Sequence, residues 1–224
     1  MDYQARELGP LGGRLLNVGS SRGKKLALLW RIGFEEVDTI KACSTYFWST
    51  IRSDVGRLRE EDPSFRALIR GLLSQGFLAL LGYRIFRWFL ERHIPTQPFR
   101  FLIERFIEIT TGISIPAQVQ IGKGLRIHHF GGIVIHSDVV IGAGCTIYQG
   151  VTLGDLGGWG GAPQIGNQVL IGAGAKVLGG ITVGDYCRIG ANAVVRTSVP
   201  AGCLAVGIPA VIKPGAVLIQ QNSV

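Results

Sequence analysis

Three of the four histidines in the chain lie within the stretch "GLRIHHFGGIVIH", residues 124–136. His128 and His129 are adjacent, and Gly131 and Gly132 follow. Imidazole titrates near neutral pH, so it can take the proton from a hydroxyl group as that group attacks a carbonyl carbon. Glycines let a ligand approach the backbone closely. The stretch predicts a general-base site, with His129 and His128 as catalytic residues and the two glycines in contact with substrate.

The same histidines raise the alternative of a zinc site. Zinc sites in proteins combine histidine with cysteine or carboxylate ligands, or use several histidines in a fixed spacing. The stretch contains neither cysteine nor carboxylate, and the four cysteines of the chain show no paired metal-ligand spacing. We therefore expect no metal.

The segments that position these histidines repeat with a period of six. An aliphatic residue recurs at each repeat, often followed by glycine, with a small or apolar residue four places on. A six-residue period does not suit a helix, whereas it is typical of a solenoid of very short strands in which three hexapeptides form one triangular coil. Cys145 and Cys187 occupy the small-residue position and are predicted to lie in the core. The aliphatic series is Ile115, Ile121, Ile127, Ile135, Ile141, Ile147, Leu153, Ile165, Ile171, Val177, Val183, Ile189 and Val195.

The repeat is interrupted at two places. Between Ile127 and Ile135 the step is eight residues, and the extra residues fall in "HHFGG". Between Leu153 and Ile165 the step is twelve, and the glycine-rich "GDLGGWGGAPQ" has Trp159 where an aliphatic would stand. Departures from a regular pattern are where function is expected. The first predicts a widened corner that projects the histidines outward, and the second predicts a loop that leaves the coil.

The N-terminal half has a helical pattern instead. In residues 65–93, apolar side chains recur at three- and four-residue steps, and Pro95 and Pro98 end the pattern. A second apolar segment, "FRFLIERFIEIT", leads to Gly112. These helices are expected to pack against other parts of the protein or against another subunit. The alternative is contact with a membrane surface, because the longer helix carries arginine and tryptophan.

Composition limits the function further. The 224 residues carry a formal net charge of +8, which favours anionic partners. No cluster resembles a nucleic-acid-binding module, so we expect no nucleic acid partner. No run reaches the roughly 18 apolar residues of a membrane span, and the first residues lack the order of a secretion signal. The expected location is the cytoplasm, with the inner face of the membrane as a possible site of peripheral contact.

Several segments resemble the serine acetyltransferases, a family of hexapeptide-repeat acyltransferases. They are "SDVGRLREEDP", "GFLALLGYRIFRWF", "GIVIHSDVVIGAGCTIYQGVTLG", "IGAGAKVLGGITVGDYCRIGANAVV" and "AVGIPA". The resemblance implies a mainly β fold, a left-handed parallel β-helix preceded by a small α-helical domain. It also implies acetyl-CoA as co-substrate and a homotrimer or dimer of trimers. The expected divisions are a flexible basic N-terminus (1–25), the helical domain (26–111), the β-helix (112–212) and a C-terminal tail (213–224).

The resemblance also suggests roles for single residues. His129 takes the place of the catalytic base, and Asp54 that of an aspartate that contacts the acceptor. Arg188 and Lys213 are expected to meet the nucleotide phosphates, in keeping with the basic charge. The residues expected to bind acetyl-CoA are Gly154, Asp155, Gly172, Ala173, Arg188, Ala191 and Lys213.

The chain departs from the family pattern at the acceptor side. His128 and Ser114 stand where the family has aspartates, and the loop containing "GGAP" lacks the family's Arg-His pair. A free carboxylate needs a cation, and Trp159 would instead give an aromatic mouth suited to a sugar ring, unless it packs against a neighbouring subunit. The expected acceptor is therefore a hydroxyl on a sugar or on a polysaccharide or glycolipid precursor. The alternatives are a serine O-acetyltransferase that makes O-acetylserine for cysteine synthesis, and a non-catalytic scaffold.

Overall fold

A computed structural model describes residues 46–59, 63–157 and 160–214. Its helices are α1 (46–58), α2 (Phe65–Leu72), α3 (Gln75–Glu91) and α4 (Phe99–Thr111). The helical pattern over 65–93 divides into two helices because the Ser74 side chain accepts a hydrogen bond from Phe77 N and caps a new helix. The predicted N-terminal segment 1–25 and most of the predicted tail lie outside the described residues.

From Ile113 onward the chain forms very short strands in three sheets. Parallel strands follow the orders β1-β4-β7-β10-β13, β2-β5-β8-β11 and β3-β6-β9-β12-β14, and β15 joins the last sheet antiparallel to β14. From β1 to β14, consecutive strands belong to different sheets, so the chain winds as a three-sided solenoid preceded by helices, which confirms the predicted fold class. The strands are β1 (Ile113–Ser114), β2 (Gln120–Ile121), β3 (Arg126–Ile127), β4 (Ile133–Ile135), β5 (Val140–Ile141), β6 (Thr146–Ile147), β7 (Thr152–Gly154), β8 (Gln164–Ile165), β9 (Leu170–Ile171), β10 (Lys176–Leu178), β11 (Thr182–Val183), β12 (Arg188–Ile189), β13 (Val194–Val195), β14 (Leu204–Val206) and β15 (Val211–Lys213).

The repeated aliphatic side chains fill the interior of the solenoid. Those of β4, β7 and β10 are fully buried in a single core that extends from coil to coil. Cys145 and Cys187 are also fully buried, and burial raises the pKa of both thiols. A buried thiol with a raised pKa is a poor nucleophile, which agrees with the predicted packing role of these two cysteines.

Strand pairing shows what the two interruptions do. Ile165 pairs with Val183, 18 positions on, which is the length of a regular coil. Ile127 pairs with Ile147, 20 positions on, so the "HHFGG" segment adds two residues to its coil. Leu153 pairs with Val177, 24 positions on, so the loop between β7 and β8 adds six. The register of the core is kept, and the additional residues lie at corners.

Helix α3 packs directly on the first coil. A Cβ atom on Gly76 would lie 2.7 Å from the carbonyl oxygen of Ile127, so only glycine allows this approach. The buried Tyr83 hydroxyl donates to the carbonyl of Val119 at 2.7 Å. The helix is thus fixed on the solenoid next to the corner that carries the histidine pair.

A buried ion pair joins the helices to the same coil. Arg84 Nε donates to Asp54 Oδ2 at 2.9 Å, and Asp54 Oδ1 accepts from the backbone N–H of Gly124 at 2.8 Å. Arg84 also donates to the carbonyls of Ile121 and Gly122. Burial raises the pKa of the Asp54 carboxyl, and the guanidinium opposes that rise.

The position of Asp54 bears on its predicted contact with the acceptor. Its side chain is 1% exposed, and both oxygens accept hydrogen bonds within the protein. The carboxylate therefore has no face turned to solvent, which argues against direct contact with an acceptor and favours a structural role.

Two further findings concern the length of the helices and the predicted end of the β-helix. Among the described residues, no single helix is both long and apolar enough to cross a membrane; α2 and α3, bent by 60°, meet the criteria only as a pair. Strand β15 extends to Lys213, one residue beyond the predicted end of the β-helix. The three boundaries between the predicted divisions stay predictions.

The Arg84→Met substitution is expected to destabilise the fold strongly. It leaves the Asp54 carboxylate buried without its partner, and breaking a buried pair in this way typically costs about 3–5 kcal/mol. The matched control is Arg105→Met, since Arg105 forms an exposed pair with Glu108 and its loss typically costs about 0.5 kcal/mol. Urea unfolding of both variants measures the difference. Equal free energies of unfolding would contradict the structural role of Asp54 and Arg84.

Candidate active site

The predicted catalytic residues and three of the predicted cofactor residues, Gly172, Ala173 and Ala191, share one edge of the solenoid. This edge lies between the β3-β6-β9-β12 strands and the β4-β7-β10-β13 strands. Four residues occupy equivalent positions along it, and each donates its backbone N–H to a carbonyl of the next coil at 2.8–3.0 Å: His128, Tyr148, Gly172 and Gly190. Ala173 and Ala191 follow at the corner itself. Residues separated by more than 60 positions are thereby aligned along the edge.

The two-residue insertion changes the corner at its first coil. Regular corners on this edge have one left-handed residue each, namely Gly150, Gly174 and Asn192. The inserted corner has three, because His129 (φ +54°), Gly131 (φ +94°) and Gly132 (φ +67°) are all left-handed. His129 and Phe130 are exposed as a result.

Backbone contacts fix the inserted corner on both sides. His128 N donates to the carbonyl of Ile147 at 2.9 Å, and Gly150 N donates to the carbonyl of Gly131 at 2.9 Å. The end of α4 also lies against it, since a Cβ atom on Gly112 would be 2.9 Å from the Cα atom of Gly131. The exposed imidazole of His129 therefore projects from a corner that is held in place.

The side chains of the corner form an aromatic cluster. The His128 and Tyr148 rings are stacked, with centroids 4.6 Å apart and planes 4° apart. The His129 ring lies 6.1 Å from His128 and 6.5 Å from Tyr148. His136, by contrast, accepts a hydrogen bond from the backbone N–H of Asp138 at its Nδ1 atom, so it stabilises a local turn. An exposed imidazole beside a stacked pair can act as a general base toward a bound hydroxyl group.

The remaining predicted cofactor residues lie apart from this corner. Gly154 ends β7 and Asp155 begins the loop, so both lie at the next edge of the solenoid. Arg188 and Lys213 are exposed on one face of the solenoid. They lie on strands β12 and β15, on either side of β14, and each is the register partner of Leu204. Two cations so placed can bind phosphate groups.

The loop between β7 and β8 folds back on the solenoid. A Cβ atom on Gly179 would lie 3.0 Å from Leu156 Cδ1, and one on Gly161 would lie 3.7 Å from the Cα atom of Gly180. Trp159 falls outside the described residues, so its contact with substrate stays a prediction. Ser114, on β1, pairs with Val134 on the face that begins at this corner.

The described parts of the chain contain no cluster of side chains that could form a metal site. No three histidine, cysteine, aspartate or glutamate side chains of residues 46–59, 63–157 and 160–214 converge to hold an ion.

Tyr148 is the residue of this corner that the sequence argument missed. It follows Ile147 in the repeat just as His128 follows Ile127, and the two positions pair across adjacent coils. Aligning the repeats coil by coil, with the two-residue insertion removed, would have placed Tyr148 beside His128.

Two family models match the repeats. The one described as "Bacterial transferase hexapeptide (six repeats)" covers residues 162–197, and "Hexapeptide repeat of succinyl-transferase" covers residues 132–155.

Individual proteins are similar to this chain over most of its length. A serine acetyltransferase of Synechococcus elongatus is 39% identical over 165 residues, covering 72% of this chain and 67% of that protein. One from Helicobacter pylori J99 is 44% identical over 160 residues, covering 69% of this chain and 91% of that protein. The crystal structure of serine acetyltransferase from Brucella abortus in complex with coenzyme A superposes with a TM-score of 0.71 at 30% identity, covering 80% of this chain and 72% of that one.

These similarities correct the expected acceptor. The prediction of a sugar or polysaccharide acceptor is wrong, because the similar proteins and structures are serine acetyltransferases. The inference failed because it used the absence of an Arg-His pair from one loop as evidence for a different substrate. The chain is an acetyl-CoA-dependent acyltransferase, and it belongs to the serine acetyltransferase family.

Proposed function

We propose that the protein transfers the acetyl group of acetyl-CoA to the hydroxyl of L-serine, with His129 as general base. The observation that carries the proposal is the position of His129. Its imidazole is exposed on an inserted corner that is anchored on both sides, and the corner shares an edge with Gly172, Ala173 and Ala191. The identity of the relatives supports serine as the acceptor.

The proposed reaction needs one base. The neutral imidazole of His129 takes the hydroxyl proton of serine while the serine oxygen attacks the thioester carbonyl carbon. The carbon–sulfur bond breaks, and the proton passes from the imidazolium to the departing thiolate. The products are O-acetyl-L-serine and coenzyme A. Holding the base in a fixed position is a large part of such catalysis, because misplacement by about 1 Å can cost roughly 100-fold in rate.

The residues present fit acetyl-CoA along the same edge. Gly172 and Ala173, with Ala191 on the following coil, leave a shallow corner without large side chains, which suits an extended pantetheine arm. A Cβ atom on Gly172 would lie 2.7 Å from Ala191 N, so close packing of the coils also requires this glycine. Arg188 and Lys213 are proposed to bind the phosphates. Gly154 and Asp155 are proposed to bind through the neighbouring loop.

The serine carboxylate requires a cationic partner, and the loop "GDLGGWGGAPQ" contains no arginine, lysine or histidine. His128 is the proposed partner. Its ring face is stacked on Tyr148, whereas its nitrogens lie at the ring edge, where an N–H can donate to a carboxylate. Gly131 and Gly132 are proposed to line the acceptor side of the site.

The predicted homotrimer or dimer of trimers is part of the proposal. It is supported by apolar side chains that remain exposed in a single chain: Phe99, Leu102, Phe106, Ile109, Phe130 and Val134. Burial of such side chains against another subunit is the usual way to remove them from water. A cytoplasmic location and contact with a membrane stay predictions from the sequence.

The His129→Ala substitution is expected to lower kcat with L-serine by roughly 100- to 10,000-fold, the usual contribution of a general base. The rate is measured as thiol release from acetyl-CoA. His136→Gln is the matched control, and it should stay within about two-fold because this histidine serves a local turn. Binding of acetyl-CoA, measured by calorimetry, should persist in both variants. Undiminished turnover in His129→Ala would contradict the assignment of the base.

The His128→Phe substitution keeps a ring to stack on Tyr148 but removes the ring nitrogens, and it is expected to raise KM for L-serine by roughly 10-fold or more and to leave KM for acetyl-CoA unchanged. Loss of a hydrogen bond to a charged group typically costs about 1.5–3 kcal/mol. L-Serinamide lacks the carboxylate and serves as the control acceptor, so its KM should not respond to the substitution. Equal increases for both acceptors would exclude His128 as the partner of the carboxylate.

The mass of the protein in solution checks the proposed assembly. Light scattering should give three or six times the chain mass of 24.1 kDa. The mass of a single chain would contradict it.

A further inference from the structure

We propose that Tyr148 is a positioning residue, whose stack on His128 fixes the corner from which His129 acts. The inference rests on the proposed role of His129 as base. It names a residue that neither the family motifs nor the sequence repeat had singled out.

The first step is the geometry of the stack. The two rings are nearly parallel, 4° apart, with centroids separated by 4.6 Å. Each residue is also held by its backbone, since His128 N donates to Ile147 O and Tyr148 N donates to Ile171 O. Offset stacking of aromatic rings is favourable and restricts both side-chain torsions. The His128 side chain is thus held by the coil that follows it.

The second step connects this stack to His129. His129 directly follows His128 and has a left-handed backbone, with φ of +54°. The left-handed conformation is unfavourable for a residue with a Cβ atom, so it persists only where the surrounding structure enforces it. The backbone bond from Gly150 to Gly131 anchors the far side of the corner. The stack on Tyr148 anchors the near side, one peptide bond away from His129.

The third step is the place of Tyr148 along the edge. The next two equivalent positions are Gly172 and Gly190, so Tyr148 is the last side chain in this column before the residues proposed to bind acetyl-CoA. Tyr148 therefore lies in the column between His128 and the residues proposed to bind acetyl-CoA, with its ring 6.5 Å from that of His129. A shift of the ring would change the direction of the imidazole relative to those residues.

Kinetics of two substitutions separate the ring from the hydroxyl group. Tyr148→Phe keeps the stack and should retain kcat with L-serine within about two-fold. Tyr148→Leu removes the ring at similar size and should lower kcat roughly 10-fold, with KM for acetyl-CoA unchanged, because the base is displaced rather than lost. Tyr46→Leu, which alters an exposed tyrosine of α1, is the control and should match the unmodified protein. Equal losses in the phenylalanine and leucine variants, or no loss in either, would overturn the proposal.

A spectroscopic measurement tests the stack independently of the acceptor. The chain has four histidines, His93, His128, His129 and His136, so its imidazole Hε1 proton signals can be assigned by single substitutions. In Tyr148→Leu, the signals of His128 and His129 should move and those of His93 and His136 should stay, with an unchanged midpoint of urea unfolding. Movement of the His128 signal alone, or of none, would overturn the proposal. If instead His129→Ala retained turnover, the proposed base would fail while the stack itself stood.

Discussion

The repeated aliphatic residue is the constraint on which the rest of the structure depends. Each coil buries its aliphatic side chains only against the coils next to it, so the register of every strand must be kept. Added residues can only leave the solenoid at a corner. The insertion at His129 and the loop after Gly154 both obey this rule, since the pairing continues on each side of them. The solenoid therefore provides a rigid frame, and its interruptions provide the exposed groups.

The helices complete the frame at its first coil. Asp54 and Arg84 connect α1 and α3 to backbone groups of that coil, and Gly76 lets α3 touch Ile127. Ile127 directly precedes His128. A buried charge pair and close backbone packing thus support the coil that presents the histidines. The Asp54 carboxylate is itself buried in this support, where it accepts hydrogen bonds from Arg84 and from the backbone of Gly124.

The sequence predicted those features that depend on local pattern. The six-residue period indicated the solenoid, and the eight-residue step located His129 on a widened corner. It could not show contacts between residues far apart in the chain: Asp54 pairs with a residue 30 positions away, and Tyr148 stacks on one 20 positions away. The acceptor was predicted wrongly for a related reason. The absence of an Arg-His pair from one loop does not show which other residues supply the positive charge.

The most direct measurement is identification of the product by mass spectrometry after incubation with acetyl-CoA and L-serine. The account predicts serine acetylated on its hydroxyl oxygen, formed in equal amount to free coenzyme A. Release of coenzyme A without acetylated serine, or no reaction despite bound acetyl-CoA, would contradict the central claim that this corner directs acetyl transfer to serine.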